Sequence, residues 1–391
     1  MIDLASAHES LWAWCRARDF AGHDPFDALN SKFFQLTPLK HSRTARLAAT
    51  QLLKRSPVNV RSVARVSAEK NSKAIALFAL AALANYRRLK TKEIEQEARQ
   101  LLADLLSMRL EGWSGAAWGY NFDWQSRVFF APRGTPTIVP TAFAARALIE
   151  AAHAFNDDSY LATARTSCDF ILQDLGRGYE TKTEVCFSYS PGTDTRIYNA
   201  SLLAAEVLAS VSRVTGETKL CDWAIRATRY VVNRQHDNGS WSYGEQANQG
   251  WIDNFHTAFL LSSLVRVINH CDAAPHPSFE ESLRRGYDFW RNSFFLADGW
   301  PKYYHDRLYP ADAHAAATAI VTLTDLWDLN AGALTLAERI ALWSIENLRD
   351  SSGYFYYQRR RFYTVRTPFM RWSESWMAYA LARLLEEKVE R

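Results

Sequence analysis

Five segments of this 391-residue chain align without gaps: PTAFAARAL, YNASLLAAE, HTAFLLSSL, HAAATAIVT and WSESWMAYA. Their anchors, Thr141, Asn199, Thr257, Ala315 and Ser373, each fall 58 residues after the one before. A fixed period of this kind constrains a fold more than any composition does. Each unit must bury its apolar face against the next, so the units stack into an array or close into a ring. Fifty-eight residues hold two helices of about four to five turns and one long loop.

The units share one reading. Thr218–Gln235 has a helical period with one charged and one apolar face. A Gly- and Trp-rich loop follows, HDNGSWSYGEQANQGWID, and then Asn254–Ile268, apolar or small almost throughout. The pattern is an outer amphipathic helix, a long loop, and an inner helix buried on most sides. Outer helices are expected near 3–19, 91–110, 159–174, 217–235, 278–296 and 333–349, and inner helices starting near 42, 141, 199, 254, 312 and 372. The first inner element reads as split or duplicated, since 42–55 and 72–89 both look helical. Six of each predict an all-α fold, a single (α/α)6 barrel (toroid) over 1–391 with an N-terminal insertion around 42–72. An open solenoid is the rival, but it needs polar capping repeats. Trp372–Leu385 is as apolar as the middle repeats, which favours closure.

In a ring, loops that all join outer-helix C-termini to inner-helix N-termini gather at one face. The inner N-termini offer unpaired N–H groups and a positive dipole end there, which suits anionic ligands. Aromatic residues are 13% of the chain, and many of them fall in these loops beside Gly, Pro and Arg. The second loop carries Trp118, Tyr120, Asp123, Trp124 and Arg127; the third carries Tyr198 at its end. The fourth carries Trp241, Tyr243, Glu245, Trp251 and Asp253, with His256 on the helix start. The fifth holds Lys302, Tyr303, Tyr304, His305, Arg307, Asp312 and His314, and the sixth Tyr357, Arg361, Arg371, Trp372 and Glu374. Aromatic faces stack on sugar rings, Arg and Lys pair with carboxylates or phosphates, and His and carboxylates move protons. Structural roles compete with each assignment. Single tryptophans serve as plugs, Asp253, Asp312 and Glu374 as first-turn acids or N-caps, His256 and His314 as buried histidines, and Arg359–Arg361 as a solvated run.

Other properties exclude whole classes. A net charge of +4 does not suggest a nucleic-acid binder. Five scattered cysteines without CxxC or Cys/His spacing predict unpaired core thiols. No metal motif is visible and no cofactor is expected, a calcium held by loop carboxylates and carbonyls staying open. No signal-like start and no uncharged apolar run of about 18 residues is present. A cytoplasmic protein without an integral membrane segment is the expectation.

RQHDNGSW at 234–241 resembles the QW motif of squalene-hopene and other terpene cyclases, whose α/α toroids use it structurally. Their acidic DxDD and DDxxD motifs are absent, as is a prenyltransferase-like zinc set. DPFDALNSKFF (24–34), WGYNFDWQSRVFF (118–130), GTPTIVPT (134–141), WIDNFHTAF (251–259), KYYHDRLYPAD (302–312) and RFYTVRTPFMRWS (361–373) look like a bacterial family encoded with exopolysaccharide and capsule biosynthesis. Its members often carry an ill-fitting aminolevulinate dehydratase label. The family's first motif usually reads DPYDGLN, from which Phe26 and Ala28 depart. The resemblance implies work on a surface polysaccharide and names no reaction.

Three classes fit. Proton abstraction at C5 of a uronic acid, giving epimerisation or β-elimination, needs a base, an acid and cations for the carboxylate. Tyr303, Tyr304, Tyr357, His256, His305, Asp253 and Glu374 are the candidate catalytic groups, a tyrosine base requiring a neighbouring cation to lower its pKa. Toroids of this type occur in glucuronyl C5-epimerases and polysaccharide lyases, a fold analogy. Inverting glycoside hydrolysis would use two of the loop carboxyls. A non-catalytic glycan-binding module would use stacking and Arg contacts alone. An enzyme on an acidic oligo- or polysaccharide, with uronate chemistry first, fits the excess of Arg, Tyr and His over acids.

Overall fold

Each apolar repeat becomes an inner helix: α4 (Ser72–Leu89), α6 (Ile138–Phe155), α8 (Tyr198–Thr215), α10 (Asn254–His270), α12 (Ala313–Asp325) and α14 (Ser375–Val389). The amphipathic segments form the outer helices α1 (Leu4–Arg16), α5 (Lys92–Ser107), α7 (Asp158–Asp169), α9 (Thr218–Val232), α11 (Pro277–Phe294) and α13 (Ala333–Leu348). Two further helices, α2 (Lys32–Gln35) and α3 (Arg43–Arg55), precede α4. This computed structural model describes residues 3–271, 276–330 and 332–389.

Inner helices pack in chain order, and α14 packs against α4, so the ring is closed rather than an open solenoid. Outer helices α5, α7, α9, α11 and α13 each lie against the inner helix that precedes them, while α1 lies against α14. Helix α4 shows why the apolar repeats go inside: it is buried from Ser72 through Asn85. Helix α6 is long and apolar enough to cross a membrane, yet its place is in the inner ring between α4 and α8.

Tight turns join inner to outer helices. Lys90 (φ 54°) and Asn156 (φ 51°) end α4 and α6 in the left-handed region. The next residue then caps the following helix, Thr91 accepting from the Ile94 N–H and Asp157 from the Ser159 N–H. Each such cap contributes about 1 kcal/mol. Ion pairs also tie neighbouring inner helices together. Arg146 Nε donates to Glu206 at 2.8 Å, and Arg266 pairs with Asp325 at 2.9 Å.

The long loops all emerge at the opposite face. They contain short strands: β1 (Trp124–Gln125) with β2 (Phe130–Ala131), and β3 (Arg177–Glu180) with β4 (Val185–Phe187). A four-stranded antiparallel sheet joins β5 (Lys302–Tyr304), β6 (Arg307–Asp312), β7 (Gln358–Arg359) and β8 (Thr364–Val365).

Three expectations change. The first inner helix is 72–89 alone. Segment 43–55 lies outside the ring, with Thr50 its one buried residue, because it lacks the all-round apolar surface an inner position requires. The helix expected over 159–174 ends as a π-turn at Phe170–Asp174, and the last inner helix begins with another at Met370–Glu374. The cysteines are not all unpaired. Cys221 in the first turn of α9 is bonded to Cys271 after α10, with Cα atoms 5.8 Å apart, because these helices pack side by side. Cys15, Cys168 and Cys186 are free and buried.

Candidate functional site

At the loop face a cavity of about 220 Å³ opens at the ring axis. Its floor comes from the inner-helix N-termini, through Lys73, Val139, Asn199, Phe255 and His314. Loop residues such as Tyr120, Trp124, Tyr189, Tyr243 and Tyr303 form the walls. Helix α3 supplies the remaining side, through Leu47, Gln51 and Lys54. These recur every three or four residues and so share one face of that helix.

A carboxylate–imidazole pair sits at the start of α10. Asp253 caps the helix, its Oδ1 accepting the His256 backbone N–H at 3.0 Å. Its Oδ2 lies 2.7 Å from His256 Nδ1 and accepts the Trp251 indole N–H at 3.0 Å. With Nδ1–H donated to the carboxylate, Nε2 carries the free lone pair, the arrangement of a general base. The Trp251 ring stacks on Tyr243 (centroids 4.4 Å apart), which meets His256 edge-on at 4.6 Å. Asp253 therefore caps the helix and holds the His256 imidazole at once.

His314 opens α12 and is fully buried, stacked on Trp372 with centroids 4.0 Å apart. Both ring nitrogens lack a hydrogen-bond partner. Such orphans are costly unless a ligand or water meets them. Burial, then Lys73 and Arg371, hold its pKa well below the ordinary value, so the ring is neutral.

The cations fall into two groups. Arg371 is locked by a bidentate pair with Asp24, one contact being Nη2 to Oδ1 at 2.8 Å. Asp27 of the same DPFDALN motif pairs with buried Arg61 at 2.7 Å. The motif thus links the segment that carries Arg61 to the start of the last inner helix. Lys73 is different: it is buried among Phe143, Phe259 and Trp376, its Nζ 4.8–5.3 Å from their centroids, with no salt bridge among the described residues. Burial and then Arg371 lower its pKa well below the ordinary lysine value. Lys54 lies over the Phe26 ring at 4.1 Å, and burial brings its pKa down to about 8. An incoming anion would restore charge to both.

Of the candidates named from sequence, Tyr303, Tyr304, His256, Asp253, Tyr120, Trp124, Arg127, Tyr243, Trp251, His314, Arg371 and Trp372 line this cavity. The others do not. Trp118 and Trp241 are plugs whose indole N–H groups cap the last turns of α5 and α9, at Leu105 O (2.7 Å) and Val231 O (3.0 Å). Tyr198 packs at the start of α8 beside Tyr230. His305 turns outward against Phe289 and Phe294, and Lys302 Nζ donates to its carbonyl at 2.9 Å. Arg307 is exposed and pairs with Asp306, and Arg361 is exposed. Asp123 accepts from the Arg133 N–H at 2.8 Å and organises its own loop. Asp312 is buried behind the wall, accepting from Gln358 (2.7 Å) and Trp372 (3.2 Å) while capping α12. At Tyr303 and Tyr357 the tyrosine-base requirement is not met. Burial and then nearby carboxylates, Asp253 at Tyr303 and Asp312 at Tyr357, raise both phenols well above 10, so each is a neutral donor.

Glu374 is buried beneath the sixth loop, accepting from Phe355 N at 2.9 Å and Ser373 Oγ at 2.6 Å. Burial raises its pKa to about 8. The folded state then keeps a proton that the unfolded chain loses near pH 4.5, so stability falls as pH rises from about 4.5 to about 8. Glu374→Gln, which does not titrate, is expected to melt about 2 °C or more above wild type at pH 8 and level with it at pH 4. Calorimetric scans across that range check this.

Lys54, Lys73, Gln51, Asn199, Phe255, Phe259 and Gln358 line the cavity without having been singled out. Lys73 had one signal: it is the only charge between Asn71 and Asn85. The repeat held another, for His256, His314 and Trp372 occupy the same position of successive units. No local signal marks Lys54, since only the fold brings α3 over the mouth.

No protein-family model and no curated protein matches this sequence. Solved structures do match in shape. Cellobiose 2-epimerase from Bacillus thermoamylovorans B4167 superposes with a TM-score of 0.63 at 14% identity, covering 83% of this chain and 90% of that one. The GH76 α-mannanase BT2949 of Bacteroides thetaiotaomicron gives 0.64 at 14% identity, over 84% and 89%. An unsaturated glucuronyl hydrolase specific for heparin gives 0.60 at 15% identity, over 81% and 86%. The chain has the (α/α)6 toroid fold. At these identities the likeness concerns architecture, and the chemistry rests on the cavity.

Proposed function

We propose that this toroid is a carbohydrate-active enzyme that removes the C5 proton of a uronic acid residue in an acidic glycan, leading to epimerisation or β-elimination. The observation that carries the reading is the Asp253–His256 pair facing a cavity with Lys54, Lys73 and a His314 ring that lacks a hydrogen-bond partner among the described residues. His256 Nε2 takes the proton, and the electron pair spreads onto the C6 carboxylate. Lys54 and Lys73 neutralise that charge, strengthened by the low-dielectric surroundings. Proton return to the other face of C5, from the Tyr304 hydroxyl, completes epimerisation. Loss of the 4-oxygen substituent with a proton instead leaves a 4,5-double bond.

The toroids that superpose on this chain include a sugar epimerase, a glucuronyl hydrolase and a polysaccharide lyase, which supports a carbohydrate substrate by analogy. Inverting hydrolysis draws less support. It needs two carboxyls flanking the bond, and among the described residues that line the cavity Asp253 is the one carboxylate, already bonded to His256 and Trp251. A surface-polysaccharide role follows from the motif resemblance.

Incubating uronate-containing and neutral glycans in D2O separates the outcomes. Deuterium at C5 is the expected result for an epimerase, and ultraviolet absorbance from a conjugated double bond for a lyase. New reducing ends with neither signal would make it a hydrolase. Silence in all three, with measurable glycan affinity, would leave a binding module.

A further inference from the structure

Two stretches of this chain contain no acid. Between Asp27 and Glu69 there are eight Lys and Arg, and between Asp350 and Glu374 there are five, with no Asp or Glu in either. They hold thirteen of the 46 basic residues and none of the 42 acidic ones, so the rest of the chain is net acidic at 33 against 42. The fold brings these two stretches together at the cavity mouth, where Tyr363 Oη donates to Arg55 O at 3.2 Å. Within the stretches, only Arg61 and Arg371 are buried against carboxylates, Asp27 and Asp24. Lys40, Arg43 and Arg46 meet backbone or amide oxygens. The field at the mouth is therefore positive and uncompensated by its own loops.

The same segments expose large apolar side chains. Leu36 is 85% exposed, Leu52 71%, Val63 77% and Phe362 86%, with Phe33 and Val58 also more than half exposed. On α3 the division is by face. Leu47, Gln51 and Lys54 turn to the cavity, so Leu52 and Ala48, both exposed, turn away. Exposed leucine, valine and phenylalanine set among lysine and arginine form the pattern of a segment lying in the interface of an anionic bilayer. An acidic protein or free polyanion would answer the charge and leave the apolar tips in water.

We infer that the rim formed by 31–65 and 359–363 docks on a negatively charged lipid bilayer, inserting Leu36, Leu52 and Phe362 among the acyl chains while its basic residues meet the headgroups. Docking turns the cavity mouth toward the membrane, which suits a glycan presented on a lipid carrier. That consequence rests on the glycan reading, whereas the docking itself does not.

The full-length protein is sedimented with vesicles of phosphatidylcholine alone and with about one third phosphatidylglycerol. Binding to the anionic vesicles at least tenfold tighter than to neutral ones is expected, weakened by salt. Leu36→Glu/Phe362→Glu and, separately, Leu52→Glu should each lower binding about tenfold or more while melting with wild type, since these side chains are exposed. No binding to anionic vesicles overturns the inference. Binding that all three glutamates leave intact also overturns it and makes the rim a polyanion site. Neither readout involves glycan turnover, so failure here and failure of the proposed reaction are distinguishable.

Discussion

Replacing His256 with glutamine is expected to lower turnover of an acidic glycan by about 10²–10⁴-fold, the usual contribution of a positioned general base. His256 presents its ring to the cavity, so its removal should move the melting temperature little. Asp253→Asn is the companion variant. Asparagine still caps α10. It also places an N–H₂ or a weaker acceptor opposite Nδ1, where a carboxylate now lies at 2.7 Å. The imidazole then loses the partner that fixes its tautomer, and turnover should fall while glycan affinity persists. Steady-state kinetics with a melting curve for each variant provide the check. Wild-type turnover in His256→Gln would remove this residue from the chemistry.

Breaking the Asp24–Arg371 pair should have the largest effect on stability. Both side chains are buried, at 4% relative exposure each, and they join the first long loop to the last inner helix. Arg371→Met leaves the Asp24 carboxylate buried and uncompensated, which costs about 3–5 kcal/mol. Removing both charges in Asp24→Leu/Arg371→Met should recover much of that loss, because an apolar pair of similar volume carries no desolvation penalty. Denaturant midpoints for the two singles and the double form a cycle. A single variant as stable as wild type would show that the pair does not hold the insertion.

The plugs and the cavity walls illustrate the limit of local reading. Trp241 and Trp251 lie in one loop, in similar Gly-rich surroundings. Trp241 caps the Val231 carbonyl and belongs to the scaffold, whereas Trp251 donates to Asp253 and faces the cavity. Their difference is a direction, set by which outer-helix end lies within reach. The histidines show the same limit. His256 and His305 are both loop-edge histidines beside aromatics, yet one enters the ring axis and the other packs on α11. Asp253 and Asp312 are N-caps, one of the roles their flanking sequence offered, and Asp253 adds its bond to His256, whereas Glu374 is buried beneath the sixth loop.

Periodicity by itself determined the architecture of this protein. A 58-residue repeat with one all-apolar helix per unit has few ways to bury that helix, and closing the ring satisfies the last unit as well as the first. The same regularity sent the long loops to one mouth. Which loop atoms meet there was decided only by tertiary packing. Lys54 comes from outside the repeat, Lys73 lies over rings of three other inner helices, and a cavity wall is shared by segments hundreds of residues apart. Helical spacing fixes neighbours within three or four residues along the chain. Contacts between loops depend on the closed ring that supports them.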